Sequence, residues 1–146
     1  MKTFFRNMKI ETIRIPKNKE KTDIDLTFVD VDAKEVVGHC NYSVSGKEGL
    51  IYDTYFYPDY RNKKIMSTYI NNILCDIKCM GADKVKLHTL SNEAYAIWER
   101  FGFKQYDKKG NMQIDISDKE CNCTCNLHSF SNEINIQKLI EQLYKQ

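Results

Sequence analysis

The chain has 146 residues, 42% of them hydrophobic, which suits one core and is too short to split comfortably into two. Its 22 basic and 20 acidic residues leave a net charge of +2, too little for a protein that tracks duplex nucleic acid with basic side chains in clear excess on one face. Met1 to Met8 offers only Thr3-Phe4-Phe5 as an apolar run and no later stretch approaches a membrane span, so the expectation is a soluble cytoplasmic protein with no membrane or nucleic-acid partner. Six cysteines at irregular spacing in such a chain read as reduced thiols rather than a disulfide framework.

Taken in chain order, Met8 to Ile15 predicts a first strand, and Pro16-Lys17-Asn18-Lys19-Glu20-Lys21 a charged connector with no apolar face. Ile24, Leu26 and Phe28 alternate with Asp25 and Thr27, the pattern of a half-buried strand. A turn over Asp30 to Lys34 leads into a strand over Glu35 to Val44, and Ser45-Gly46-Lys47-Glu48-Gly49 returns the chain into Leu50 to Tyr57. Three strands of this series form a meander.

After Pro58 the apolar period changes from two to 3.6. Ile65, Met66, Tyr69, Ile70, Ile73, Leu74, Ile77 and Met80 form one stripe of a long helix that ends at Gly81. Cys75 and Cys79, four apart on it, read as packing. Lys84 to Leu90 is a strand with Val85, Leu87 and Thr89 on one side, and the crossover helix makes it parallel to its predecessor. Ser91 caps a shorter helix through Phe101, and Gly102 ends it. Phe103 to Asp107 and Met112 to Ile116 flank Lys108-Lys109-Gly110-Asn111 as a hairpin. The order β-β-β-β-α-β-α-β-β predicts a mixed α/β domain over residues 1–117. Residues 118–146 then form a linker with Cys121, Cys123, Cys125 and His128, and an amphipathic helix from Ser131 whose apolar face is buried on this domain or on a second copy in a homodimer. The three thiols and the imidazole are zinc-ligand types, but C-x-C-x-C spacing turns the sulfurs along a strand rather than onto one ion, so no metal is expected.

One feature has the wrong sign for stability. Arg61-Asn62-Lys63-Lys64 opens the long helix, where the helix dipole favours acids, so either a bound anion or a solvated basic turn accounts for it. No Walker loop, dinucleotide fingerprint, nucleophile elbow or H-E-x-x-H is present.

The run Phe56-Tyr57-Pro58-Asp59-Tyr60-Arg61-Asn62-Lys63-Lys64-Ile65-Met66, followed by Ser91-Asn92-Glu93-Ala94 and Trp98-Glu99-Arg100-Phe101-Gly102-Phe103, resembles the GNAT superfamily of N-acetyltransferases. The resemblance spans roughly residues 24–116 and implies a GNAT-like sheet, with an N-terminal antiparallel meander, one β-α-β crossover and a C-terminal hairpin. It implies acetyl-CoA as cosubstrate and a small-molecule or peptide amine as acceptor. It further implies that the strand before Pro58 splays from its neighbour, that Tyr55 and Phe56 offer backbone groups to the pantetheine arm and thioester, and that Arg61, Asn62, Lys63, Lys64, Ile65 and Met66 wrap the pyrophosphate, with Ser67 and Ser91 adding hydroxyls. The family's loop usually reads Q/R-x-x-G-x-G/A, whereas Lys64 and Met66 stand at its two small positions. Side chains there crowd the phosphates if the backbone must approach closely; if the backbone is ordinary helix, Lys64 adds favourable charge.

Trp98 occupies the position where many members carry a tyrosine that protonates the departing thiolate; an indole donates a hydrogen bond but yields no proton. Tyr95, one turn earlier, is either its substitute or a core aromatic. Asp53 is the first candidate to deprotonate the amine, against a plain solvent-facing strand residue. The rival readings are a coenzyme A holder without useful turnover and an interaction module with an empty cleft.

Overall fold

The computed structural model describes residues 9–61 and 64–121; expectations for Asn62, Lys63, Cys123, Cys125, His128 and the helix from Ser131 lie outside those residues. Alternating side chains set the first half of the fold. In β2 (Asp23–Asp30) Ile24, Leu26 and Phe28 are fully buried, and in β3 (Glu35–Ser45) so are Cys40 and Tyr42. The pairings Ile24 with Tyr42 and Leu26 with Cys40 bring these residues to one face. With β1 (Ile10–Pro16) and β4 (Glu48–Phe56) they form an antiparallel meander of four strands, one more than the three-strand reading.

That face is covered by α1 (Ile65–Cys79), which buries Ile70, Ile73, Leu74 and Ile77 against it. Each such side chain is worth roughly 1.5–3 kcal/mol of apolar burial. Helix and strand touch closely at Gly49, where a Cβ would meet the Ile77 side chain at 2.5 Å. Beneath the helix, Asp76 is buried and accepts hydrogen bonds from Arg14 Nε at 2.7 Å and the Tyr42 hydroxyl at 2.5 Å, tying α1 to β1 and β3. Burial, reinforced by the Asp76 carboxylate, pushes the Tyr42 hydroxyl well above the usual tyrosine range.

β5 (Lys84–His88) runs parallel to β4, as the crossover requires. After α2 (Asn92–Arg100) come β6 (Lys104–Gln105) and β7 (Asn111–Asp115), giving a seven-stranded sheet of order β1-β2-β3-β4-β5-β7-β6. β6 is shorter than the Phe103-to-Asp107 strand read from sequence. Phe103 is drawn into the core and its amide bonds the Trp98 carbonyl, while Asp107 receives the amides of Lys109 and Asn111 in the turn. Gly81 and Gly102 follow the two helices at φ 110° and 104°, a region that favours glycine. Among the described residues no helix is long and apolar enough to cross a membrane.

Two expectations are corrected. The helix does not open at Arg61. A 3-10 turn over Pro58–Tyr60 is followed by Arg61 in an extended conformation, and Lys64, the residue before α1, is left-handed at φ 62°, ψ 25°, which cannot propagate a right-handed helix. The cysteines are not all reduced thiols, nor are Cys75 and Cys79 mere packing. Cys75 and Cys121 form a disulfide with Cα atoms 5.5 Å apart, Cys79 is disulfide-bonded too, and Cys40 is a buried thiol. The chain leaving β7 folds back along α1, where the Lys78 ammonium donates to the carbonyls of Ser117 and Lys119, and this return path brings Cys121 to Cys75.

Candidate active site

The sheet opens between β4 and β5. β5 pairs with β4 only from Glu48 to Ile51, whereas β3 stays paired with β4 as far as Phe56. A bulge lies at the point of departure: Tyr42 pairs with Ile51 and Asn41 with Asp53, so Tyr52 is a surplus residue. Such a residue bends its strand and increases its local twist, which carries β4 away from β5. Past Ile51, the β5 side of β4 has no strand partner among the described residues.

The polarity of that edge follows from one peptide unit. The Tyr57 amide donates to the Val37 carbonyl on β3, so the Phe56 carbonyl at the other end of the peptide points into the gap. There it accepts from Arg61 Nε at 2.9 Å, and the guanidinium also lies 5.3 Å from the centre of the Tyr55 ring. Arg61 is thus turned back onto β4 rather than into the first turn of α1. The Phe56 ring packs 5.0 Å from Phe28, leaving this residue's backbone as its contribution to the gap.

At the start of α1, among the described residues, no side chain caps the helix, and no acid occupies its first turn. The Thr68 amide takes the Lys64 carbonyl at 3.1 Å, and the amides of Ile65, Met66 and Ser67 precede this first described bond of the intrahelical ladder. Neither alternative posed for Lys64 and Met66 describes the observed loop. Lys64 adopts the backbone that glycine takes freely, at a cost of about 1 kcal/mol for a residue with a Cβ, and its side chain is exposed. The Ile65 side chain is buried and Met66 packs against the core, so neither stands in front of these amides, and Ser67 is exposed. The 3-10 turn that delivers this loop is held by the Tyr60 hydroxyl, which donates to Glu35 at 2.5 Å and lies 3.0 Å from Asp30.

On the sheet face opposite α1, Asp53 and Tyr55 project from β4 and His39 from β3. Asp53 Oδ2 lies 3.0 Å from His39 Nε2, and the His39 ring is 6.0 Å from that of Tyr55, which in turn meets Tyr57 edge-on at 5.6 Å. His39 escaped the sequence reading. The alternation of β3 puts it on the outward face, but its neighbours depend on a bulged register that alternation does not reveal.

The other candidates sit on α2. Ser91 is its N-cap, with Oγ accepting from the Ala94 amide at 3.1 Å. Tyr95 donates to Glu99 at 3.2 Å, and desolvation together with that carboxylate raises its hydroxyl above the usual range, making it a poorer acid. Trp98 packs edge-on against Phe101 and Phe103 at 5.6 and 5.4 Å. Beneath β4, Thr54 donates to the Cys40 sulfur at 3.5 Å, and burial pushes that thiol up to about 12, so it is protonated and inert as a nucleophile. Among the described residues no group of three or more His, Cys, Asp or Glu side chains is placed to hold a metal ion.

Residues 4–103 match the model of the Acetyltransferase (GNAT) family. The fold is similar to an acetyltransferase of the GNAT family from Staphylococcus aureus Mu50 (TM-score 0.58, 13% identity, 64% of this chain and 68% of that one). It is similar too to PaiA N-acetyltransferase from Thermoplasma acidophilum in complex with coenzyme A (0.56, 19%, 64% and 61%) and to Tetrahymena GCN5 (0.55, 11%, 65% and 69%). At these identities the likeness is one of fold. No curated protein is significantly similar to the chain in sequence.

Proposed function

The chain belongs to the GNAT acetyltransferase family, and from that membership we propose that it transfers the acetyl group of acetyl-CoA to an amine by direct attack on the thioester. The observation that carries this reading is the open edge of β4 leading to the bare first turn of α1. An extended pantetheine arm has amides that can pair with a strand edge, and a pyrophosphate matches unfilled helix amides beside a cation. Phe56, whose carbonyl faces the gap, would offer backbone groups to the arm, whereas the Tyr55 carbonyl faces β3 beside Gly38. Ile65, Met66 and Ser67 would offer amides to the phosphates, and Lys64 its charge, with Asn62 and Lys63 assigned to the same loop by the motif.

In the reaction the amine nitrogen bonds to the thioester carbonyl carbon, the carbon–sulfur bond breaks, and the electron pair leaves on the coenzyme A sulfur. Charge developing on the carbonyl oxygen would be met by a backbone amide on the open edge of β4. An acyl-enzyme route through Cys40 is disfavoured by its burial and raised pKa. An alkyl thiol ionises near ~8.5, so the thiolate can leave without a committed acid, at some cost in rate.

A second reading, a coenzyme A holder with little turnover, is favoured by Trp98 in place of the usual tyrosine and by its packing on Phe101 and Phe103. Two measurements separate them. Acetyl-CoA at a hundred times its dissociation constant raises stability by ~2.7 kcal/mol in a melting scan under both readings. Thiol release with a panel of amines occurs only under the first. An unmoved melting curve overturns both.

A further inference from the structure

Resting on the acetyl-transfer reading, we propose that His39 is the group that accepts the proton from the attacking amine, and that Asp53 positions it rather than acting as the base itself. The face of the sheet carrying Cys40, Thr54 and Ile51 is filled by α1, whose first turn also holds the proposed phosphate site. A nucleophile therefore reaches the bulge from the opposite face, and His39 and Asp53 lie on that face. Asp53 is the residue that resumes regular pairing immediately after surplus Tyr52, at the point where β4 leaves β5.

Both side chains are open to solvent, 36% exposed for His39 and 53% for Asp53. A carboxylate only accepts hydrogen bonds, so the 3.0 Å contact fixes the proton on Nε2 and leaves the lone pair on Nδ1. Nδ1 has no hydrogen-bond partner among the described residues. The Nδ1 lone pair can take a proton from an incoming N–H, whereas the Asp53 carboxylate is already engaged by the imidazole. Asp53 then stabilises the imidazolium that forms, and the Tyr55 ring flanks the pair.

The step balances. As the amine nitrogen bonds to the acyl carbon, its proton passes to His39 Nδ1 and the carbon–sulfur electrons leave with the sulfur. The imidazolium then returns its proton to the thiolate through solvent.

The test follows thiol release from acetyl-CoA with water and with a fixed set of nucleophiles, namely spermidine, an aminoglycoside and a lysyl peptide. For the fastest of these, His39→Ala is expected to lower kcat by ~100-fold while KM for acetyl-CoA changes less than about 2-fold. Added imidazole should restore at least about 10-fold of the lost rate and leave the native protein unaffected. Asp53→Asn should also lower kcat, and the double variant should be no slower than His39→Ala, because the two act as one unit. A His39→Ala protein with an unchanged melting temperature that keeps its rate within about 3-fold, or that imidazole does not rescue, overturns the assignment. A native protein that gains stability with acetyl-CoA yet releases no thiol with any nucleophile overturns the transferase reading itself, and is distinguishable from an active enzyme indifferent to His39.

Discussion

The two ends of α1 are built to opposite rules. Its C-terminal half is fastened from every side. Asp76 holds Arg14 and Tyr42, Lys78 holds the returning chain, Cys75 is bridged to Cys121, and Gly81 closes the last turn. Among the described residues its N-terminal end has no side-chain cap, no acid and a left-handed lysine. The start of α2, by contrast, has Ser91 as N-cap and Glu93 in the first turn. The start of α1 forgoes stabilisation that the start of α2 takes, which suits the proposal that its amides meet an anion, and the firm far end offsets the loss.

The largest test of that division is Asp76→Ala. It leaves a guanidinium and a hydroxyl beneath the helix without their acceptor, and should cost about 3 kcal/mol in urea unfolding. A loss under about 1 kcal/mol would mean the far end is not the anchor. Next, Lys64→Glu at the near end should weaken coenzyme A binding by roughly 30-fold, about 2 kcal/mol, in titration calorimetry, while changing stability by only a few tenths of a kcal/mol. Equal affinity in the variant would detach the ligand from this turn.

The smallest effect is a pH dependence. The Tyr42 hydroxyl is raised in the folded state above its ordinary value of 10.0, so its contribution is complete below that pH and is lost as pH rises from there through the folded value. Tyr42→Phe should cost ~1 kcal/mol at neutral pH and give a shallower alkaline decline above pH 10. Tyr60 and Tyr69 shift in the same direction, so some slope should survive in the variant. An unchanged alkaline slope would show that Tyr42 does not titrate with unfolding.

Much of this architecture was legible because it rests on periodicity. The alternation of Ile24, Leu26 and Phe28 and the stripe from Ile65 to Met80 identify the packed faces directly, and Ser91, Gly81 and Gly102 mark helix limits through local chemistry. The two spaced motifs pointed to the end of β4 and the start of α1 for the same reason. What stayed hidden depends on contacts distant in sequence or on a residue in an uncharacteristic conformation. At position 64 the lysine itself does not announce a left-handed backbone, and the one signal was the glycine that the family's loop usually carries there. The pairing of His39 with Asp53 needs the register across a bulge, and the bridge from Cys75 to Cys121 needs the path of a tail 46 residues away.

The bulge at Tyr52 is one of two features that separate a continuous sheet from a cleft. Because Asp53 already pairs with Asn41 and Thr54 with Cys40, excising Tyr52 would leave every later side chain on the face it now occupies. Only the bend would go, and because β5 extends one residue past its last pair, to His88, the straightened strand would gain little new pairing there. The opening therefore has two causes, the inserted Tyr52 and the early end of β5 at His88, and a single in-frame codon deletion would remove the bend without closing the cleft.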